Sequence, residues 1–367
     1  TGTVTNANGR FQLDRDRGVY KLLVSYIGYQ SDTVEVAGEN ELIILLQPGQ
    51  TLKDVEVVHR QKSTSYSFLD PAKMERISEK ELLKAACCNL SESFETNPSV
   101  DVAFTDAVTG TRLIQMLGLS GPNIQITREN IPFVRGLASV YGLTFIPGTW
   151  VEGMQLSKGT GSVVNGFESI AGQINVELRK PEEGDRLYAN LYLNEGSRLE
   201  GNLNLREEIN DVWSTALLLH GKTNSVANDR NEDKFLDNPL SDQIIAINRW
   251  KYLGKNGIRA QLGVQAMSIR NRGGQLPDLT LQPGQQRWDM DLDLDRIGGW
   301  FKLGSVNEFL PWRSWAMQAA WSHHRQGSRF GSRAYDATQQ SAYVNLLYQS
   351  IIGNTTHQVL MGASWQY

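Results

Sequence analysis

Ile258-Arg259-Ala260-Gln261-Leu262-Gly263-Val264-Gln265-Ala266 decides the fold class. Ile258, Ala260, Leu262, Val264 and Ala266 share one face of an extended chain. Arg259, Gln261, Gly263 and Gln265 share the other, because successive side chains of a strand point to opposite sides. A helix scatters the same residues around its axis. One such strand fits any half-buried sheet, but the pattern recurs. Trp315, Met317, Ala319 and Trp321 oppose Gln318, Ser322 and His324, while Val359, Met361, Ala363, Trp365 and Tyr367 oppose Gln358, Gly362, Ser364 and Gln366.

Working outward, strands are expected at 187–194, 200–208, 213–223, 243–253, 258–270, 289–304, 314–326, 340–351 and 357–367. The connectors after the second, fourth, sixth and eighth are short: 209–212, 254–257, a segment through Pro311, and 352–356. Those after the third, fifth and seventh are long and polar: 224–242, 271–288 and 327–339. Short turns on one rim and long loops on the other characterise an up-and-down transmembrane barrel. The expectation is an apolar exterior around a wet lumen, with a bulge where strand 289–304 changes phase near Gly298-Gly299. A soluble β-sandwich with long loops is the alternative.

Composition excludes other classes. The 367 residues contain no run of eighteen apolar residues, so no transmembrane helix is expected, but an alternating barrel strand escapes that test. A net charge of -4 without a basic block argues against a nucleic-acid partner. No Ser/His/Asp, HExxH or phosphate-loop spacing points to an enzyme, and no cofactor is expected. Cys87 and Cys88 are adjacent, and on a short helix expected over 79–86 and beyond they diverge by about 100° per residue, which disfavours a shared metal. Asp289, Asp291, Asp293 and Asp295 alternate along a strand without the glycine and terminal glutamate of a calcium loop, and are read as lumen wall rather than a metal site. His323 and His324 point to opposite faces, which disfavours joint coordination.

Residues 2–13 (Gly2 to Leu13, with the turn Asn8-Gly9) and 20–29 (Tyr20 to Tyr29) resemble the carboxypeptidase-regulatory-like β-sandwich that precedes many outer-membrane receptors of the Bacteroidetes type. Leu52-Lys53-Asp54-Val55-Glu56-Val57-Val58 resembles a TonB box, with Asp54 to Val58 as its centre. Such a β-prone stretch adds as a strand to the sheet edge of an energy-transducing partner. Residues 66–181 resemble a TonB-dependent receptor plug: Asn97 to Val102, Ile114 to Leu119, Ile124-Gln125-Ile126 with the turn Glu129-Asn130-Ile131-Pro132, and Val151 to Thr160 running into Asn165 to Val176. The usual Arg-Gly pair is absent near Leu117-Gly118, although Arg135-Gly136 follows.

The resemblance implies an all-β dominated fold. It orders the chain as an incomplete β-sandwich module (1–50), TonB box and linker (51–65), an α+β plug (66–181) and about nine strands of an antiparallel transmembrane barrel (186–367). Because Thr1 is no initiator Met and the last residues read as a strand, the chain is expected to be cut at both ends, with no ladder between 187–194 and 357–367. Gly159, Gly166 and Gly172 are expected to allow turns and close packing, and Lys158 and Glu168 are candidates for charge contacts between plug and wall, with solvated loop charge as the alternative. Tyr141, Phe145 and Trp150 are candidates to stack on a ligand, with plug–wall packing as the alternative. The implied function is uptake of a scarce small ligand across the outer membrane of a Gram-negative cell, driven by a TonB-type partner. The ligand is a metal chelate such as a ferric siderophore, haem or cobalamin, since large glycan importers carry a different plug pattern. The alternatives are a secreted or surface β-rich adhesin and a passive porin, but a porin has no use for a plug.

Overall fold

A computed structural model describes residues 2–6, 9–13, 20–26, 29–36, 41–47, 64–67, 74–78, 89–94, 100–104, 108–109, 111–254, 257–280, 282–306, 310 and 312–367. The chain divides into two compact units, Thr1–Gln61 and Lys62–Tyr367. The TonB-box residues Asp54 to Val58, the helix expected at 79–86 and the Cys87-Cys88 pair lie outside the described residues.

In the first unit β1 (Tyr20–Val24) pairs antiparallel with β2 (Asp32–Val36), setting Tyr20 opposite Val36. Gly9, at φ 73°, donates its N–H to Asn6 O at 2.9 Å; Asn8 of the expected turn lies outside the described residues.

The second unit begins with β3 (Thr64–Ser67) and β4 (Met74–Ser78), then β5 (Asp101–Phe104), β6 (Arg112–Met116) and β7 (Leu119–Ser120). They are followed by β8 (Ile124–Arg128), β9 (Ile131–Pro132), β10 (Val151–Lys158) and β11 (Gly172–Leu178). Six of these form one mixed sheet in the order β3-β4-β10-β11-β8-β9, and β5, β6 and β7 form a smaller one. Pairing of β3 with β4 carries the plug sheet back to Thr64, slightly ahead of the expected start. Only the β11–β8 pairing in the mixed sheet is parallel, so the two strands need the crossover through 129–171 that holds the buried rings of the plug.

Nine strands then run as a meander: β12 (Leu187–Leu193), β13 (Arg198–Glu208), β14 (Trp213–Asn224), β15 (Leu240–Leu253), β16 (Ile258–Gly274), β17 (Asp289–Val306), β18 (Ser314–Phe330), β19 (Arg333–Ile352) and β20 (Asn354–Gln366). Each pairs antiparallel with the next, and β12 and β20 stand at opposite edges without a ladder between them. All nine expected strands are present.

Three expectations are corrected. The long loop expected at 327–339 is strand: Phe330 pairs with Arg333 and Gly331, at φ 58°, turns the chain in two residues. A glycine accepts that left-handed backbone without a Cβ penalty, so β18 and β19 extend into what reads as a polar loop. No bulge occurs at Gly298-Gly299, since the registers to β16 and β18 pass through both residues unbroken. The acidic residues do not line the lumen. Met290, Leu292 and Leu294 point inward and are buried, so Asp291, Asp293 and Asp295 face out. Arg270 Nη2 lies 3.1 Å from Asp295, and Arg272 and Arg329 pair with Asp291.

The outward aspartates have a simple cause. The outer face of a wall strand meets lipid over one length and water over the next. On β17 the outer residues Phe301 and Leu303 give way to the aspartates, while on β18 Trp315 to Trp321 give way to His323 and Arg325. Inside, the wall is apolar where it packs on the plug: Leu218, Ile245, Ile247, Met267, Ile269 and Leu292 join one core cluster with Leu90, Phe94 and Phe145 of the plug. Polar inward residues such as Gln265 and Gln318 appear where the apolar packing ends.

Candidate functional site

Two wall cations meet the plug at the turn between β8 and β9. Arg128 pairs with Ile131, leaving Glu129 and Asn130 as a two-residue turn with φ 55° and 61°. Both central residues of such a turn need the left-handed region, where Asn-Gly is the usual choice and a glutamate costs roughly 1–2 kcal/mol. Asn175 of β11 holds the turn: its Oδ1 accepts from Asn130 N at 2.7 Å and from Thr127 Oγ1 at 2.9 Å.

This strained turn sends the Glu129 carboxylate into the wall. Arg249 Nη2 of β15 lies 3.2 Å from its Oε1, and Lys302 Nζ of β17 lies 3.5 Å from its Oε2. Leu178 N donates to Oε1 at 3.0 Å. Arg249, 2% exposed, also donates through Nη1 to the carbonyls of Leu178 and Arg179 at 3.1 and 2.8 Å. Burial pushes the Glu129 carboxyl up, but Arg249, Lys302 and the Leu178 amide outweigh it and hold the group below the usual carboxylate range. One plug side chain thus bridges two wall strands.

Beside it, Arg128 lies between two aromatic faces, 4.1 Å from the Phe133 ring centre and 4.4 Å from that of Trp300, and hydrogen-bonds Gln265 of the wall. Trp300 lies flat against β16 because residue 263 is glycine; any Cβ there would enter its ring. Burial, and then the nearby Arg296, lower the Arg128 guanidinium to about 9. Further reversible polar contacts join plug and wall: Leu137 N to Gln339 Oε1 at 2.8 Å, Asn345 Nδ2 to Val164 O at 2.8 Å, and Arg198 to Glu92 at 3.1 Å.

The expected site residues fall as follows. Gly159, at φ 84°, turns the chain out of β10, and Gly172 packs where an added Cβ would lie 2.6 Å from the Met116 sulfur. Gly166 has φ 139°, a conformation side chains rarely adopt. Glu168 pairs with Arg135, a plug residue, so its contact is within the plug rather than to the wall. Lys158 is exposed, and among the described residues no ion pair reaches it. Tyr141, Phe145 and Trp150 open no face to a ligand: all three are buried, with Phe145 edge-on to His324 at 5.8 Å and Trp150 edge-on to His220 at 6.4 Å. Phe145 and Trp150 pack against the wall, and Tyr141 lies in the core cluster.

Comparison with known families and structures follows this geometry. Residues 68–173 match the TonB-dependent Receptor Plug Domain. The plug of this chain is that of a TonB-dependent receptor. Residues 1–59 of the receptor match the CarboxypepD_reg-like domain, and comparison with curated protein sequences gives no match. Its fold is similar to the ferric yersiniabactin uptake receptor FyuA of Yersinia pestis, with TM-score 0.64 and 14% identity over 80% of this chain and 48% of that one. The siderophore receptor PiuA of Acinetobacter baumannii gives TM-score 0.60 and 13% identity over 81% and 45%. The ferric-catecholate import receptor Fiu of E. coli gives TM-score 0.56 and 15% identity over 81% and 49%. The chain spans about half the length of these receptors. The family places the receptor in the outer membrane of Gram-negative bacteria.

Glu129 enters the sequence expectations only as part of the turn 129–132, and Arg249 and Lys302 only as positions within strands; none of the three is among the expected site residues. A signal exists for each. Glu129 occupies a turn position that favours Asn or Gly, and Arg249 and Lys302 are long cations on the inward face of strands.

Proposed function

We propose that the receptor imports a scarce small ligand, a metal chelate such as a ferric siderophore, haem or cobalamin, using energy delivered by a TonB-type protein to the box Asp54 to Val58. The observation that carries this reading is the attachment of the plug. Glu129 is held by two wall cations at once, whereas the other plug–wall contacts among the described residues are the single ion pair Arg198–Glu92, single hydrogen bonds and apolar packing. A plug meant only to block needs no such concentration of strength. A plug that must stay shut and then yield to force gains from a latch at one point.

Strain in the Glu129 turn supports the same reading, because residues in sparsely populated backbone regions persist where the surroundings over-determine them. Withdrawal of Glu129 relaxes the turn and removes the partner of Arg249 and Lys302 together. Ferric yersiniabactin, named for FyuA, and ferric catecholate, named for Fiu, make ferric chelates the first cargo to test. Uptake of radiolabelled ferric siderophores into cells carrying the intact receptor is expected to stop when an uncoupler collapses the proton-motive force. Uptake that survives the uncoupler would indicate a passive pore.

A further inference from the structure

Successive inward residues of β17 grip successive residues of the plug hairpin. The Trp300 ring centre lies 4.4 Å from the Arg128 guanidinium, and Lys302 Nζ lies 3.5 Å from the Glu129 carboxylate. Two positions along a strand span about 7 Å, so wall and hairpin are matched residue for residue. The neighbouring strands repeat the arrangement: Gln265 of β16 accepts from Arg128, and Arg249 of β15 pairs with Glu129. A hairpin displaced by one inward step of β17 would bring Arg128 against Lys302, like charge on like, which is costly.

The Arg128 half of this match is made by rings. Among the described residues Arg128 has no carboxylate within ion-pair distance; its contacts are Gln265 and the rings of Phe133 and Trp300. A cation over an aromatic face is drawn to the ring quadrupole, and Phe133, 4.1 Å from Arg128, takes Arg296 of β17 at 5.0 Å as well. Trp300 is 4% exposed and its Nε1 has no partner among the described residues, so the ring acts through its face. Gly263, directly opposite on β16, leaves the bare backbone over which that ring lies. Asn175 holds the Glu129 turn on the Asn130 side at 2.7 Å, and the caged Arg128 holds it on the other.

We propose that Trp300 is a positioning residue of the latch: seated on Gly263 and clamping Arg128 against Phe133, it sets the register in which Glu129 meets Arg249 and Lys302. The inference rests on the reading of that ion cluster as the latch of an energy-coupled plug, and names the wall residue that aims it. Trp300 acts through Arg128, the residue next to Glu129.

The test is a double-variant cycle, read by hydrogen exchange of the β8 and β11 amides in the intact receptor in detergent. Trp300→Leu keeps apolar bulk and removes the ring, and is expected to speed exchange at least tenfold. In the Glu129→Gln background, where the aimed charge is gone, the same substitution should change the rate no more than threefold. Trp300→Phe keeps a ring face and should stay within threefold of the wild type. Gly263→Ala displaces the ring without altering Trp300, and should repeat the Trp300→Leu pattern even if Trp300→Leu does not reach the native fold. Equal factors in the two backgrounds would make Trp300 packing alone and overturn the proposal, as would exchange in Trp300→Phe as fast as in Trp300→Leu. Glu129→Gln exchanging like the wild type would remove the latch itself, and the positioning role with it. Because the cycle needs no energy source, its failure is distinct from failure of energy-coupled uptake.

Discussion

The Glu129 carboxylate lies 3.2 Å from the Arg249 guanidinium, one on the plug hairpin and the other on β15 of the wall, and both are buried. Removing one member of a buried pair leaves the other charge stranded and costs about 3–5 kcal/mol. Glu129→Ala is therefore expected to loosen the plug by that order, read as faster hydrogen exchange in β8 and β11. Combining it with Arg249→Met should recover much of the loss, since no lone charge remains. A double variant as labile as the single one would remove the ion pair from the latch.

Acid should act on the same bond. The folded Glu129 carboxyl is held below its usual range, so its contribution to docking is fully present above the unfolded value of about 4.3. It is lost as pH falls through the lower, folded value, because protonation removes the charge that Arg249 and Lys302 face. Protease accessibility of the plug should therefore rise in acid below about pH 4. Glu129→Gln should be accessible at neutral pH and show a flatter profile.

The wall was legible in the sequence and the latch was not. Lipid-facing residues such as Leu262, Val264 and Trp315 repeat every second position, and the period survives because each sees the same solvent. The aspartates of β17 keep that period but change surroundings, so Asp291 and Asp293 read as lumen when they face outward water. The missing information is where along the strand lipid ends. Glu129 is harder still, because Arg249 lies 120 residues away and Lys302 lies 173 away. No local pattern records such partners. Trp150 and Phe145 stayed open to two readings for a related reason: rings suited to stacking on a ligand are equally suited to close a core.

Val55→Pro in the intact receptor is expected to abolish energy-coupled uptake while leaving ligand binding near normal. Proline removes a strand donor and blocks addition to a partner's sheet edge. Val55→Thr, which keeps the backbone N–H and β propensity, should retain uptake. Loss of binding in the proline variant, or unimpaired uptake, would count against the TonB box.

The outer face of the wall should report a sharp change of solvent within single strands. Val264, Ala319 and Met361 lie outward among Leu262, Phe301 and Leu346, while Asp293 lies outward on the same face of β17 as Phe301. Trp315 and Trp321 are six positions apart on β18, about 20 Å of strand at ~3.4 Å per residue, comparable to the roughly 25 Å apolar band of such barrels. Trp213 and Tyr252, 5.0 Å apart between ring centres, place an aromatic pair towards the short-turn rim. Spin labels at 264, 319 and 361 are expected to contact lipid, and a label at 293 to contact water. Arginine at position 264 should cost about 2–4 kcal/mol, and near nothing at 293, where charge already stands. Labels at 293 immersed in lipid would put the membrane edge in the wrong place, and water at 264 with lipid at 265 would invert the wall.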